Sequence, residues 1–76
     1  MIKKLSDLSI GKKAIIRSFE KNDNYIKLLE MGIIPGEFIE VEKIAPFQDP
    51  ISVNVAGYKL SLRLIEADGI IVEELN

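Results

Sequence analysis

The sequence contains no cysteine and no histidine among its 76 residues. Without these residue types the chain can form no disulfide bond, and it offers neither thiolate nor imidazole ligands to a metal ion. The same absences exclude the Ser-His and Cys-His arrangements of nucleophilic catalysis. Isolated serine, lysine and carboxylate side chains predict no catalytic site. We therefore expect a protein that is not an enzyme and that holds no metal ion or cofactor of its own.

Tryptophan, an excess of positive charge and long apolar runs are also missing. The net charge of −2 argues against non-specific nucleic-acid binding, because contacts to phosphate groups require a basic surface. Aromatic residues make up only 7% of the chain, which disfavours the aromatic-lined groove that binds proline-rich peptides. The opening residues, Met-Ile-Lys-Lys-Leu-Ser-Asp-Leu, are too polar for a signal peptide or a membrane span. We expect a cytoplasmic protein that binds no nucleic acid.

The apolar residues that are present suffice for one small folded domain. They form 47% of the sequence, which is too much for a disordered segment. Residues 1–76 are predicted to form a single domain, near the lower size limit for an independent hydrophobic core.

Residues 27–36, Lys-Leu-Leu-Glu-Met-Gly-Ile-Ile-Pro-Gly, predict the end of a helix and a turn into a strand. Gly32 stands where a helix C-terminus favours left-handed backbone, and we expect it to have a positive φ. Pro35 cannot continue the helix. The helix itself is predicted over residues 24–31, and the polar residues 22–24 are candidates for its N-cap.

This short helix carries more apolar residues than it can bury. At about 100° per residue, Leu28 and Met31 are the predicted core residues. Ile26 and Leu29 are predicted to be exposed, although Leu29 could instead fold under a neighbouring loop.

Five segments have the pattern of β-strands, namely residues 12–20, 37–45, 51–55, 58–63 and 70–74. The alternation breaks between Ile16 and Phe19, which predicts a bulge near Arg17 and Ser18. Residues 56–57 predict a tight hairpin turn, and residues 64–68 predict one helical turn. The predicted core residues are Leu28, Ile39, Val41, Val53, Leu60, Leu62 and Val72; Tyr58 is placed on the same face.

A small sheet avoids exposed edges by closing on itself. The predicted fold is therefore mainly β, a small five-stranded SH3-like barrel with one short helix inserted between the first two strands.

The loop at residues 45–50 holds the best candidate for a partner contact. Phe47 lies between Pro46 and Pro50, where an aromatic side chain has no obvious place in the core. The prolines restrict the loop before binding and so lower its ordering cost. The alternative is that Phe47 covers one end of the barrel.

Taken in order, several motifs resemble the FeoA family over nearly the whole chain. They are Leu5-Ser6-Asp7-Leu8-x-x-Gly11, Leu28-x-x-Met31-Gly32-Ile33-x-Pro35-Gly36, Ala45-Pro46-x-x-Asp49-Pro50-Ile51, Leu62-Arg63 and Ile70-x-Val72. Lys27 departs from the family pattern, which usually has arginine there. Lysine keeps the charge but lacks the planar fork that binds anions at two points.

The resemblance implies a cytoplasmic accessory protein of ferrous iron uptake that binds the membrane permease FeoB and its cytosolic GTPase domain. Contact with the membrane would then be indirect, through that partner. A related domain closes the C-terminus of iron-dependent repressors, so a metal-responsive regulatory domain is the alternative. The predicted partner-binding residues are Ile26, Lys27, Leu29, Pro46, Phe47, Asp49 and Arg63.

A role in stimulating GTP hydrolysis would require a residue inserted beside the nucleotide, usually an arginine. Arg17 and Arg63 are the only arginines. Arg63 is predicted to face outward from a strand, where a salt bridge or a hydrogen bond to a loop is its simplest role.

Overall fold

A computed structural model describes residues 1–20 and 25–75. These residues form one antiparallel sheet of six strands and two short α-helices. The strands are β1 (Ile2–Lys4), β2 (Lys13–Phe19), β3 (Phe38–Ile44), β4 (Ile51–Val55), β5 (Tyr58–Leu62) and β6 (Ile70–Glu74). The helices are α1 (Tyr25–Glu30) and α2 (Leu64–Asp68), and a 3₁₀ turn spans Leu5–Asp7. Across the sheet the strands follow the order β1-β6-β2-β3-β4-β5.

The prediction of five strands and one helix was therefore too simple. β1 was missed: it is only three residues long, and it pairs with β6 at the edge of the sheet. Because β1 comes first, α1 lies between the second and third strands and not between the first two. The helical turn expected at residues 64–68 is the second helix, α2. The N-cap predicted at residues 22–24 lies outside the described residues.

The predicted bulge in β2 is confirmed. Ile16 lies opposite Val72 and Ser18 lies opposite Ile71, so one extra residue is inserted at Arg17. The insertion resets the alternation, and Phe19 turns back to pack against the core. A second register shift, which was not predicted, lies in β3 between Val41 and Lys43.

The end of α1 is a Schellman motif, with Gly32 at φ +98°. The Ile33 N–H donates to the Leu28 carbonyl at 2.9 Å, and the Gly32 N–H donates to the Leu29 carbonyl at 3.0 Å. Leu28 and Ile33 are both completely buried, as the apolar contact of this motif requires. The predicted positive φ of Gly32 is thus confirmed, and the motif fixes α1 to the core.

The core is apolar, and β2 to β6, both helices and the 3₁₀ turn at Leu5–Asp7 all contribute buried side chains to it. Of the predicted core residues, Leu28, Ile39, Val41, Val53, Leu62 and Val72 are buried. Leu60 is only half-buried, and Met31 likewise packs against the core from its margin. Tyr58 lies opposite the buried Val55, as its predicted strand face requires, but it is 73% exposed.

Candidate functional site

An ion pair joins the loop after β3 to the start of α2. The Arg63 Nε lies 3.1 Å from Asp49 Oδ1, and its Nη2 lies 3.3 Å from Asp49 Oδ2. Asp49 Oδ1 also accepts a hydrogen bond from the Leu64 backbone N–H at 3.2 Å. Asp49 therefore satisfies a free amide of the first helical turn while it holds the guanidinium group.

A second carboxylate, that of Glu66, joins α1 to α2. Its Oε1 accepts a hydrogen bond from the Arg63 backbone N–H at 2.8 Å, and its Oε2 lies 3.1 Å from Lys27 Nζ. Glu66 is only 6% exposed. Burial raises the pKa of its carboxyl, but the hydrogen bond from Arg63 and the contact with Lys27 outweigh burial and leave the pKa below its ordinary value.

These contacts bring together three of the predicted partner-binding residues. Lys27, Asp49 and Arg63 come from separate parts of the sequence and meet at α2. With Glu66 they form what we call the α2 junction. Each cation has its own carboxylate there, so the junction adds little net charge to the surface around it.

The loop before β4 presents Phe47 to solvent. The side chain is 97% exposed, so it does not cover an end of the sheet. Phe47 and its neighbour Gln48 both have left-handed backbone, with φ of 67° and 65°. This conformation is costly for residues other than glycine. A hydrogen bond of 2.8 Å from the Gln48 N–H to the Ala45 carbonyl closes the turn that contains these two residues. Pro46 is exposed beside Phe47.

On α1, both apolar residues that were predicted to be exposed, Ile26 and Leu29, are exposed. Ile26 is 56% exposed and Leu29 is 38% exposed, whereas Leu28 between them is buried. With about 3.6 residues per turn, Ile26 lies about 100° from Lys27 and Leu29 about 160° from it, and Ile26 and Leu29 are themselves about 60° apart, on one face of the helix. Lys27 reaches Glu66 on α2, and Ile26 is the nearer of the two to Lys27 in angle around the helix.

Two residues near α2 were missed by the sequence reasoning. Glu66 stands three residues after the N-cap Arg63, a spacing at which a glutamate returns to the N-cap amide, and this spacing could have revealed it. Ile65 is 73% exposed. No local pattern indicates its exposure, because a helix of five residues is too short to show a period.

Elsewhere, Arg17 pairs with Glu73 across β2 and β6. A groove of about 440 Å³ is lined by Lys13, Phe38 and Leu75 among others, and these lining residues differ from the seven predicted ones. Among residues 1–20 and 25–75, no cluster of three acidic side chains is placed to hold a metal ion. Within the same residues, no helix combines the length and apolar character that crossing a bilayer requires.

Comparison with known proteins agrees with the motifs in the sequence. Residues 3–74 match the family described as FeoA domain. A protein of Porphyromonas gingivalis described as an Fe(2+) transport protein A/Fe(2+) transporter FeoB fusion protein is 38% identical over 71 residues. The match covers 92% of this chain but only 8% of that protein, so the chain spans a small part of the relative's length.

Solved structures show the same fold. The FeoA-like protein of Clostridium acetobutylicum superposes with a TM-score of 0.91 at 36% identity, over 99% of this chain and 88% of that one. The zinc complex of Stenotrophomonas maltophilia FeoA, described as a prokaryotic SH3 domain protein, gives a TM-score of 0.81 at 25% identity, over 93% and 89%. The fold is therefore mainly β and SH3-like.

A manganese-dependent transcriptional repressor shares the fold with a TM-score of 0.89 at 20% identity, and the match covers 97% of this chain and 42% of the repressor. At that identity the likeness concerns the fold alone. The family match and the 38% identical relative decide the assignment. This chain belongs to the FeoA family, which is linked to ferrous iron transport.

Proposed function

We propose that this chain is a non-catalytic accessory domain that binds a FeoB-type transporter on the cytoplasmic side of the membrane. The chain acts there through protein contacts, and its effect is on the transporter's GTPase cycle or on its assembly. It needs no cofactor for this role.

The observation that carries the proposal is the fused relative. In the Porphyromonas gingivalis protein, a segment 38% identical to this chain is part of the same polypeptide as a FeoB transporter. Joining two domains in one chain raises the concentration of each around the other, which favours a contact that already forms between them.

The surface of the chain supports the same proposal. Phe47, Ile26 and Leu29 expose apolar side chains close to paired charges, as the core and rim of an interface do. The restricted loop and the Schellman motif fix the backbone that carries these side chains before binding, so less backbone entropy is lost when a partner binds.

The experiment is a binding measurement with the full-length FeoB-type transporter of the same organism, reconstituted in nanodiscs. The purified chain is titrated against it by biolayer interferometry without nucleotide, with GDP and with a non-hydrolysable GTP analogue. The rate of GTP hydrolysis is measured in parallel, because a change in this rate separates an effect on the GTPase cycle from an effect on assembly.

We expect saturable binding that Phe47→Ala weakens by at least about tenfold, since exposed aromatic anchors commonly dominate an interface. Tyr58→Ala is the control, because Tyr58 is an exposed aromatic residue at the far end of β5. Absence of binding under all three nucleotide conditions would contradict the proposal.

The second candidate is a metal-responsive regulatory domain, which the shared fold with the manganese-dependent repressor favours. It predicts a change of binding partner or oligomeric state with metal. Anaerobic calorimetry with Fe²⁺, Mn²⁺ and Zn²⁺ tests it. A stoichiometric site of micromolar affinity would support this candidate, and we expect none because the sequence has no histidine or cysteine.

A further inference from the structure

Ile65 is an exposed apolar residue that the proposed function has not used. It is 73% exposed although it lies in the second position of α2, between a half-buried leucine and the buried Glu66. The helix is anchored by Glu66 and Ala67, which are buried, so the outward position of Ile65 follows from the way α2 packs. A large β-branched side chain is costly to expose there, and alanine would favour the helix more.

The contacts of α2 place Ile65 between two segments already proposed to bind a partner. Its preceding residue, Leu64, donates its backbone N–H to Asp49, two residues after Phe47. Its following residue, Glu66, pairs with Lys27, which is adjacent to Ile26. The α2 turn therefore connects the Phe47 loop to the Ile26 side of α1.

We propose that Ile65 is a contact residue for the FeoB-type transporter, and that the docking surface is centred on α2. The surface consists of Ile26, Ile65 and Phe47, with the α2 junction between them. Leu29 lies about 60° from Ile26 around α1 but farther than Ile26 from Lys27, so it lies at the margin of this surface. This inference rests on the proposed function and specifies its surface.

The charges around Ile65 indicate the chemistry of the partner. Lys27 is paired with Glu66 and Arg63 is paired with Asp49, and the exposed carboxylates of Asp68, three residues after Ile65, and of Glu30 on α1 add negative charge, so the surface has no excess of positive charge. Such a surface fits an apolar, uncharged patch on a protein better than an acidic peptide or a nucleic acid. The fused relative favours the transporter as that protein, since a segment similar to this chain is joined to a FeoB transporter in one polypeptide.

The test compares Ile65→Ala with Tyr58→Ala, because both residues are 73% exposed and lie near opposite ends of the β5–α2 segment. Binding to the full-length transporter in nanodiscs is measured as above. Ile65→Ala should weaken binding by at least about tenfold and Tyr58→Ala by less than about twofold. Urea unfolding should be nearly unchanged for Ile65→Ala, which shows that the loss of binding is not a loss of folding.

A cross-linking experiment gives a second readout. The chain has no cysteine, so Ile65→Cys and Tyr58→Cys each create one labelling position. Each variant is labelled with a benzophenone maleimide, mixed with the transporter and irradiated. Cross-links to the transporter should form from position 65 and not from position 58.

The possible failures are distinguishable. If the unmodified chain does not bind the transporter, the proposed function and this inference both fail. If the chain binds and Phe47→Ala weakens the complex but Ile65→Ala does not, only the inference is wrong. If position 65 cross-links to a second copy of the chain and not to the transporter, the surface joins two copies, and the inference is likewise overturned.

Discussion

Arg63 and Asp49 are fourteen residues apart in sequence and contact each other through two pairs of atoms. Arg63 directly follows β5 and is the N-cap of α2, and Asp49 ends the loop that presents Phe47. The same carboxylate also accepts the Leu64 N–H. The Asp49 side chain therefore links the Phe47 loop to the start of α2. A substitution of Asp49 tests how much this link contributes to stability.

Asp49→Ala should lower the free energy of unfolding by about 1 kcal/mol, because the Leu64 amide loses its acceptor. The ion pair adds little to this, since the Arg63 side chain is largely exposed. Urea unfolding at neutral pH measures the change. Asp49→Asn keeps an oxygen acceptor and should cost less than Asp49→Ala; equal losses would show that the amide contact is unimportant.

The stability of the chain should fall in acid partly because of Glu66. Burial raises the pKa of its carboxyl, but the bonds from Arg63 and Lys27 lower it more, so the folded-state pKa lies below the ordinary value of 4.5. The unfolded chain therefore binds the proton more readily, and the contribution of Glu66 is present above pH 4.5 and lost as the pH falls through the folded-state pKa.

Glu66→Gln tests this directly. The glutamine oxygen can still accept a hydrogen bond from the Arg63 N–H. Glutamine has no negative charge to pair with Lys27, and it does not bind a proton between pH 7 and pH 3. Urea unfolding from pH 7 to pH 3 should show a smaller acid loss for Glu66→Gln than for the unmodified chain, while Glu30→Gln, a change at an exposed position of α1, should follow the unmodified curve. Parallel curves for all three proteins would contradict the prediction.

Leu28→Ala should be strongly destabilising, by about 2–5 kcal/mol, because Leu28 is completely buried and anchors the end of α1. Leu60→Ala should cost less than about 2 kcal/mol, since Leu60 is half-buried on the edge strand β5. Urea midpoints of the two variants give the comparison. A larger loss for Leu60→Ala would mean that the margin of the core was assigned wrongly.

Phe47→Gly separates binding from folding. The Phe47 side chain buries almost no surface, and glycine adopts φ 67° without strain, so the free energy of unfolding should stay the same or rise by up to about 1 kcal/mol. Binding to the transporter should nevertheless weaken. Gln48→Gly relaxes the neighbouring residue, at φ 65°, but keeps the aromatic ring and should preserve binding.

The features that the sequence predicted correctly depend on residues close together in the chain. The end of α1 follows from one glycine followed by a proline, and the bulge of β2 follows from the spacing of Ile16 and Phe19. Both are local, because a turn or a bulge is decided by a few neighbouring residues.

The errors concern residues whose surroundings are set by distant parts of the chain. β1, with the sequence Ile-Lys-Lys, shows no alternation and forms because Ile2 lies opposite Glu73 on β6. Tyr58 does pair with the buried Val55, as alternation requires, but at the end of β5 next to the hairpin, where the core no longer covers it. A period of two indicates the face of a strand and not how far along it the core extends.

The candidate surface was predictable as a set of residues but not as an arrangement. Asp49 and Arg63 were both singled out, yet nothing in the sequence indicates that they pair. Glu66 and Ile65 were missed because the five residues of α2 are too few to distinguish its buried side from its exposed side.

The position of β6 between β1 and β2 has a consequence for the order in which the chain folds as it is synthesised. The strand made last pairs on one side with Ile2 and on the other with Ile16. Until β6 has been made, the edge of β2 that faces away from β3 has no partner strand. The growing chain then exposes the backbone groups on that edge that β6 will later satisfy. Neighbouring nascent chains could pair with that edge, so the sheet is most prone to misassembly just before its last strand appears.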